Sequence, residues 1–131
     1  MVIDTSAVFA ILLGEAERDD FSIAIKVARR RLISVASAVE CVAVFAGRRP
    51  GSDDAMAAMD RFVDEFALEI AAMDAAQSRA AAEAMVRFGK GRHPARLNLG
   101  DSFAYGLAKV TGEPLLFKGN DFTLTDIARA V

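Results

Sequence analysis

Short runs of consecutive apolar residues alternate along the chain with longer stretches in which apolar residues recur every three or four positions. The first pattern fits a strand buried on both faces, the second an amphipathic helix. Residues 1–4 read as a buried strand, with Thr5 and Ser6 as the turn and N-cap of a helix ending at Gly14. A second helix is predicted over about 17–30, with Phe21, Ile25 and Ala28 on one face. Residues 32–35 form a short strand, and 36–46 a helix stopped by Gly47 and Pro50. Met59, Phe62, Val63 and Phe66 recur at helical spacing, with Asp60, Asp64 and Glu65 facing out. A strand over 68–70 follows, and Asp74 with Gln77 makes a capping box for an alanine-rich helix running to Phe88. After a polar, basic loop over 89–97, a helix over about 100–110 leads into a strand at 114–117 and a short helical tail.

Strands alternating with helices imply an α/β fold, a three-layer α/β/α arrangement around a mostly parallel central sheet. No repeat, linker or low-complexity tract interrupts it, so 1–131 is expected to be a single domain. Right-handed crossovers place all the strand carboxyl ends along one edge, where ligands bind. Asp4 and Asp121 lie just past the first and last strands. Glu40 lies about one turn into the helix after the second strand, and Asp101 in the first turn of the helix before the last strand.

Each acid has a structural use as well. Asp4, Asp101 and Asp121 suit a helix start, a helix dipole and a turn respectively. Glu40 is harder to explain in this way: its helix is apolar on nearly every side, which predicts burial, and a buried carboxylate needs a partner such as an arginine, a proton or a cation. Four carboxylates converging on one pocket repel one another, so the set calls for a metal ion, as in phosphoryl-transfer enzymes. The chain therefore reads as a small metal-dependent nuclease.

Composition narrows the setting. With 53% hydrophobic residues, 131 residues suffice for one core. The abundance of alanine predicts closely packed helices. The longest apolar run, 7–13, is too short to span a bilayer, and Asp4 stands where a signal peptide carries positive charge. The single Cys41 excludes an internal disulfide and a multi-cysteine zinc site, and a thiol on that helix is expected to pack. A cytoplasmic protein without membrane association is expected. The net charge of −2 does not suggest a nucleic-acid binder, but basic residues cluster at 29–31, 48–49 and 90–96 while acids gather at 15–20 and 53–65.

Val2-Ile3-Asp4-Thr5-Ser6-Ala7, Ser37-Ala38-Val39-Glu40, Leu99-Gly100-Asp101-Ser102-Phe103-Ala104 and Pro114-Leu115-Leu116-Phe117-Lys118-Gly119-Asn120-Asp121-Phe122 together resemble the PIN domain. More narrowly, they resemble the VapC ribonuclease toxins of bacterial toxin–antitoxin pairs. The resemblance runs end to end. It implies that Asp4, Glu40 and Asp101 are the metal-site acids, that RNA is the substrate, and that the chain forms a homodimer with a VapB antitoxin as partner. Where the family often carries an acid, this chain has Asn120, followed by Asp121. Either Asp121 completes the catalytic set or Asn120 contributes its neutral carbonyl.

Magnesium chemistry sets the expected roles, with Mn²⁺ as the alternative ion. Mg²⁺ prefers oxygen ligands and keeps several waters, so Asp4 and Asp101 suffice as direct ligands. Glu40 is expected to hold one of its waters or a second ion and to orient the nucleophile. Thr5 or Ser6 offers a hydroxyl or N–H to a phosphate oxygen, and Lys118 and Asn120 lie near enough to join them. Substrate contact is expected from the loop bearing Lys90, Arg92 and Arg96, which holds no acid. His93 precedes a proline in this loop, a placement that favours a loop role over general-acid catalysis. Tyr105 is expected in the core. Two other functions use parts of the same pattern: a catalytically silent PIN scaffold binding RNA or protein, and a phosphoacceptor signalling domain. The latter wants an acidic pair after the first strand, where Asp4 stands alone.

Overall fold

The computed structural model describes residues 1–48 and 52–131. Among them are four strands, β1 (Val2–Ile3), β2 (Leu32–Ser34), β3 (Glu69–Ala71) and β4 (Leu115–Leu116). The helices are α1 (Thr5–Leu12), α2 (Arg18–Val27), α3 (Val35–Arg48), α4 (Ser52–Phe66), α5 (Ala75–Phe88) and α6 (Leu99–Thr111). All strand pairs are parallel, in the order β3-β2-β1-β4. Val2 lies opposite both Leu32 and Leu115, so the first residues of the chain sit mid-sheet.

The two-residue period of the strands sorts their side chains into two cores. Ile3, Ile33 and Leu116 face one side, where they join Val8, Ile11, Phe21, Ile25, Phe62 and Phe66 from α1, α2 and α4. Val2, Leu32 and Leu115 face the other, against Ala84, Phe88, Ala104 and Leu107 from α5 and α6. This is the three-layer α/β/α sandwich expected from the sequence. Burying each such Leu or Ile contributes roughly 2 kcal/mol. The α5–α6 pair packs through small residues: a Cβ on Gly106 would lie 2.6 Å from the Gln77 carbonyl oxygen and 3.2 Å from the Ala81 Cβ, so no larger residue fits that approach.

Several boundaries differ from expectation for identifiable reasons. Asp4, not Thr5 or Ser6, is the N-cap of α1. The second strand stops at Ser34 because α3 begins at Val35 without a linker. α3 continues through Gly47 to Arg48, since a single glycine weakens a helix without ending it. Pro50, and the Arg49 half of the expected basic pair, lie outside the described residues. The third strand is Glu69–Ala71 rather than 68–70; its Glu69 and Ile70 are exposed, so no buried run marks it. Asp74 caps the Gln77 N–H at 2.8 Å, but the Gln77 side chain donates to the Ala72 carbonyl instead of completing the box. The tail is not helical. The Thr123 and Thr125 hydroxyls donate to the carbonyls of Asn120 and Phe122, which favours turns. The chain then pairs along β4, with Leu115 N–H donating to Ala128 and Ala130 N–H to Leu115.

Candidate active site

The strand exits deliver the acids. Leaving β1, the chain turns into α1 at Asp4, whose carboxylate accepts the Ser6 backbone N–H at 2.9 Å and the Ser6 hydroxyl at 2.5 Å. The side chain is 4% exposed. Burial raises its pKa above the ordinary carboxylate value, Ser6 opposes the rise, and the Glu40 charge adds to it. Asp4 is thus both a helix cap and an unpaired buried acid.

Glu40 projects from α3 toward the same place, and the Thr5 hydroxyl donates to its Oε2 at 2.9 Å. The expectation of a fully buried Glu40 is corrected: it is half-buried, because α3 keeps Val35 and Val39 exposed. Those valines, with Leu99 and Phe103, line a cleft of about 690 Å³ that reaches Glu40.

Asp101 enters from the first turn of α6. Its carboxylate accepts the Asn98 N–H at 2.7 Å while the Asn98 side chain caps the Asp101 N–H at 3.1 Å, a reciprocal capping box. Burial pushes Asp101 up to about 7, against the Asn98 hydrogen bond and with help from the charges of Asp4, Asp121 and Glu40. Asp121 lies exposed in the turns beyond β4. Four segments far apart in sequence therefore bring their carboxylates within electrostatic reach. Among the described residues, none of the four forms an ion pair with a Lys or Arg.

Two expected phosphate contacts have other partners here. The Ser6 hydroxyl, besides donating to Asp4, accepts the Lys118 backbone N–H at 3.0 Å, stitching the exit of β4 to α1. The Lys118 ammonium sits 2.9 Å from both Glu15 and Glu17, which hold its pKa above the usual lysine value. Its charge is directed at the α1–α2 connection. Asn120 is exposed, and its backbone carbonyl accepts from Thr123.

Residues 1–128 match the PIN domain family. Ribonuclease VapC42 of Mycobacterium tuberculosis is 44% identical over 131 residues, covering 99% of this chain and 98% of the relative. Ribonuclease VapC30 of the same species is 45% identical over 130 residues, covering 98% and 96%. The chain belongs to the PIN domain family, in its VapC branch. Among solved structures, VapBC2 from Rickettsia felis, bound to a DNA fragment from its promoter, shares the fold at a TM-score of 0.73 and 16% identity, covering 98% of this chain and 94% of that one.

In this PIN domain the basic loop is closed by a bridge between Gly89 and Leu97. It carries Lys90, Arg92 and Arg96 exposed and free of ion pairs among the described residues. His93 turns inward, its Nδ1 accepting the Ala95 N–H at 3.1 Å and its ring edge-on to Phe88, which is the loop role. The Arg29–Arg31 cluster is partly structural: Arg31 donates to the Phe66 and Ala28 carbonyls, and Arg30 pairs with Glu69. Cys41 is buried, and burial pushes its thiol up to about 12, so it packs as a neutral group.

Sequence reasoning missed Asn98, although Asn-x-x-Asp before an apolar stretch is a capping signal. It also missed Glu15 and Glu17 as partners of Lys118, for which no local signal exists. Among the described residues, no three His, Cys, Asp or Glu side chains form a ready-made ion cage. The donor set nonetheless fits a hard divalent cation. It is all oxygen, partly buried, mutually repelling and without a basic partner among the described residues, and Mg²⁺ needs only one or two direct carboxylates beside its waters.

Proposed function

We propose that this chain is a metal-dependent endoribonuclease, the toxin of a VapB–VapC toxin–antitoxin pair. The observation that carries this reading is the convergence of Asp4, Glu40, Asp101 and Asp121 with no basic partner for any of them among the described residues. The ribonuclease names of the relatives, at 44% and 45% identity over nearly the whole chain, support RNA as substrate.

Asp4 and Asp101 would hold Mg²⁺, or Mn²⁺ in its place, with Asp121 completing the acidic rim. When bound, the ion would lower the pKa of a water and offset the charge of the scissile phosphate. Glu40, held by the Thr5 hydroxyl, orients the attacking water. The products are those of hydrolysis, with no covalent intermediate on the protein. Lys90, Arg92 and Arg96 neutralise flanking phosphates, each adding about 0.7 to the salt slope of log K on single-stranded RNA.

The partner is a VapB-type antitoxin, supported by the fold shared with the Rickettsia felis VapBC2 assembly. A basic segment of it would complement the acidic site. A homodimer fits the apolar side chains left exposed on the helices: Phe21 and Met59 are buried, whereas Ile23, Val27 and Met56 nearby are exposed. Among the described residues no helix is long and apolar enough to cross a membrane, and the cytoplasm is the proposed location.

The test is cleavage of total cellular RNA by the purified protein in Mg²⁺ or Mn²⁺, with EDTA and Asp4→Asn as controls. Discrete fragments that vanish in both controls are expected. Cleavage that survives either one would sink the metal-dependent reading.

A further inference from the structure

Gly100 stands in the first turn of α6, between the capping residue Asn98 and Asp101. Its backbone is not in the left-handed region that reserves a position for glycine. Alanine is the better helix former, so nothing in the backbone explains the choice. The explanation lies across the cleft. A Cβ built on Gly100 would lie 2.8 Å from Cδ and 2.7 Å from Oε2 of Glu40, and would overlap Oε1 as well. Non-bonded heavy atoms settle at about 3.5–4.0 Å, so the carboxylate and a methyl group cannot share this space. Gly47, exposed in α3, meets nothing within 4 Å among the described residues.

Glu40 is therefore held from two sides. The Thr5 hydroxyl grips Oε2, and the bare Cα of Gly100 lets the carboxylate settle against the N-terminal turn of α6. The positive end of that helix favours an anion there. We propose that Gly100 is a positioning residue: its missing side chain admits the Glu40 carboxylate to the start of α6, where it joins Asp101 and Asp4. The atoms that a methyl would strike belong to the free end of a flexible side chain. Gly100→Ala thus folds and expels the carboxylate rather than distorting the helix. This role rests on the reading of Glu40 as part of a metal-dependent ribonuclease site.

The test compares wild type, Gly100→Ala, Glu40→Ala, the double variant and Gly47→Ala. Cleavage rate and Mn²⁺ affinity by titration calorimetry should fall roughly 10–100-fold in Gly100→Ala. The loss should match that of Glu40→Ala within about twofold, and the double variant should lose no more than either single one. Gly47→Ala should behave as wild type. A Gly100→Ala protein with wild-type rate and affinity, or a double variant losing the product of both single losses, overturns the proposal. A separate readout needs no metal: in the metal-free protein, the Glu40 side-chain carboxyl carbon and the Thr5 amide should move in the NMR spectrum of Gly100→Ala. Unchanged signals at both positions also overturn it. If wild type cleaves no RNA, the ribonuclease reading fails, and these resonances still decide what Gly100 does.

Discussion

Asp101 and Asp126 both bear on α6, one from its first turn and the other against its opposite end, and their surroundings are reversed. Asp126 accepts the Tyr105 hydroxyl at 2.6 Å, Lys109 at 3.0 Å and Arg87 at 3.3 Å. The Tyr105 bond, with the two cations, holds it down to about 2. Asp101 has one amide donor and three acids for company, and burial lifts it to about 7. One helix thus carries a satisfied carboxylate that ties the tail to α5 and α6, and a frustrated one whose hydrogen bond is the local Asn98 cap. Carboxylates that stabilise a fold find partners within it. A carboxylate left wanting in a partly buried cleft marks where the fold expects a ligand.

The largest effect that would break this contrast is on chemistry. Asp4→Asn keeps the cap on α1, because asparagine caps as well as aspartate, and removes only the charge. Metal-dependent cleavage should fall by on the order of 100-fold or more, while the metal-free protein gains about 0.5–2 kcal/mol from the lost repulsion and desolvation. Paired cleavage assays and chemical denaturation check both signs; a variant that loses both activity and stability would place Asp4 among the structural acids. Asp126→Asn should do the reverse. Its network is more than a third exposed and screened, so the cost is about 1 kcal/mol, a few degrees in melting temperature, with cleavage intact.

The pH profile sharpens the same comparison. Between about pH 4 and 7 the folded Asp101 keeps a proton that the unfolded carboxyl, at 3.8, has released. The metal-free protein should therefore lose stability as pH rises through that window. Asp126 acts oppositely: its contribution is complete above 3.8 and is lost as pH falls toward 2. The melting temperature should peak near pH 4–5 without metal, and Mg²⁺ or Asp101→Asn should flatten the neutral side. A metal-free profile that rises steadily toward pH 7 would contradict the buried, unpaired Asp101. The smallest effect is expected at Lys118, already paired with Glu15 and Glu17 at the surface. Lys118→Gln should leave the melting temperature almost unchanged and cleavage within about twofold. A tenfold loss of cleavage would return its ammonium to the substrate.

What could be read in advance divides along the same line. The buried strands announced themselves because Val2, Ile3, Leu115 and Leu116 are continuous apolar pairs bounded by turns, and the acids stood at their exits. The strand at Glu69–Ala71 reads one residue early, at 68–70, because Leu68 is buried while Glu69 and Ile70 are exposed at the sheet edge. The burial of Glu40 was overestimated because an apolar sequence does not reveal whether a helix is enclosed or leaves Val39 at the surface. The partners of Lys118 lie about a hundred residues away, and those of Asp126, 17 to 39 residues away, also sit on other elements that no local pattern links to it. Local chemistry shows in a sequence; who answers a charge across the fold does not.

The position of β1 has a consequence for how such a molecule is made. Val2 and Ile3 are synthesised well before one of their two neighbours in the sheet, Leu115–Leu116. Closing that strand pair requires the longest loop in the sheet, a slow and late step in folding. Asp121 follows the same late strand. A growing polypeptide would therefore carry Asp4 and Glu40 with no complete acidic set until β4 and Asp121 had emerged.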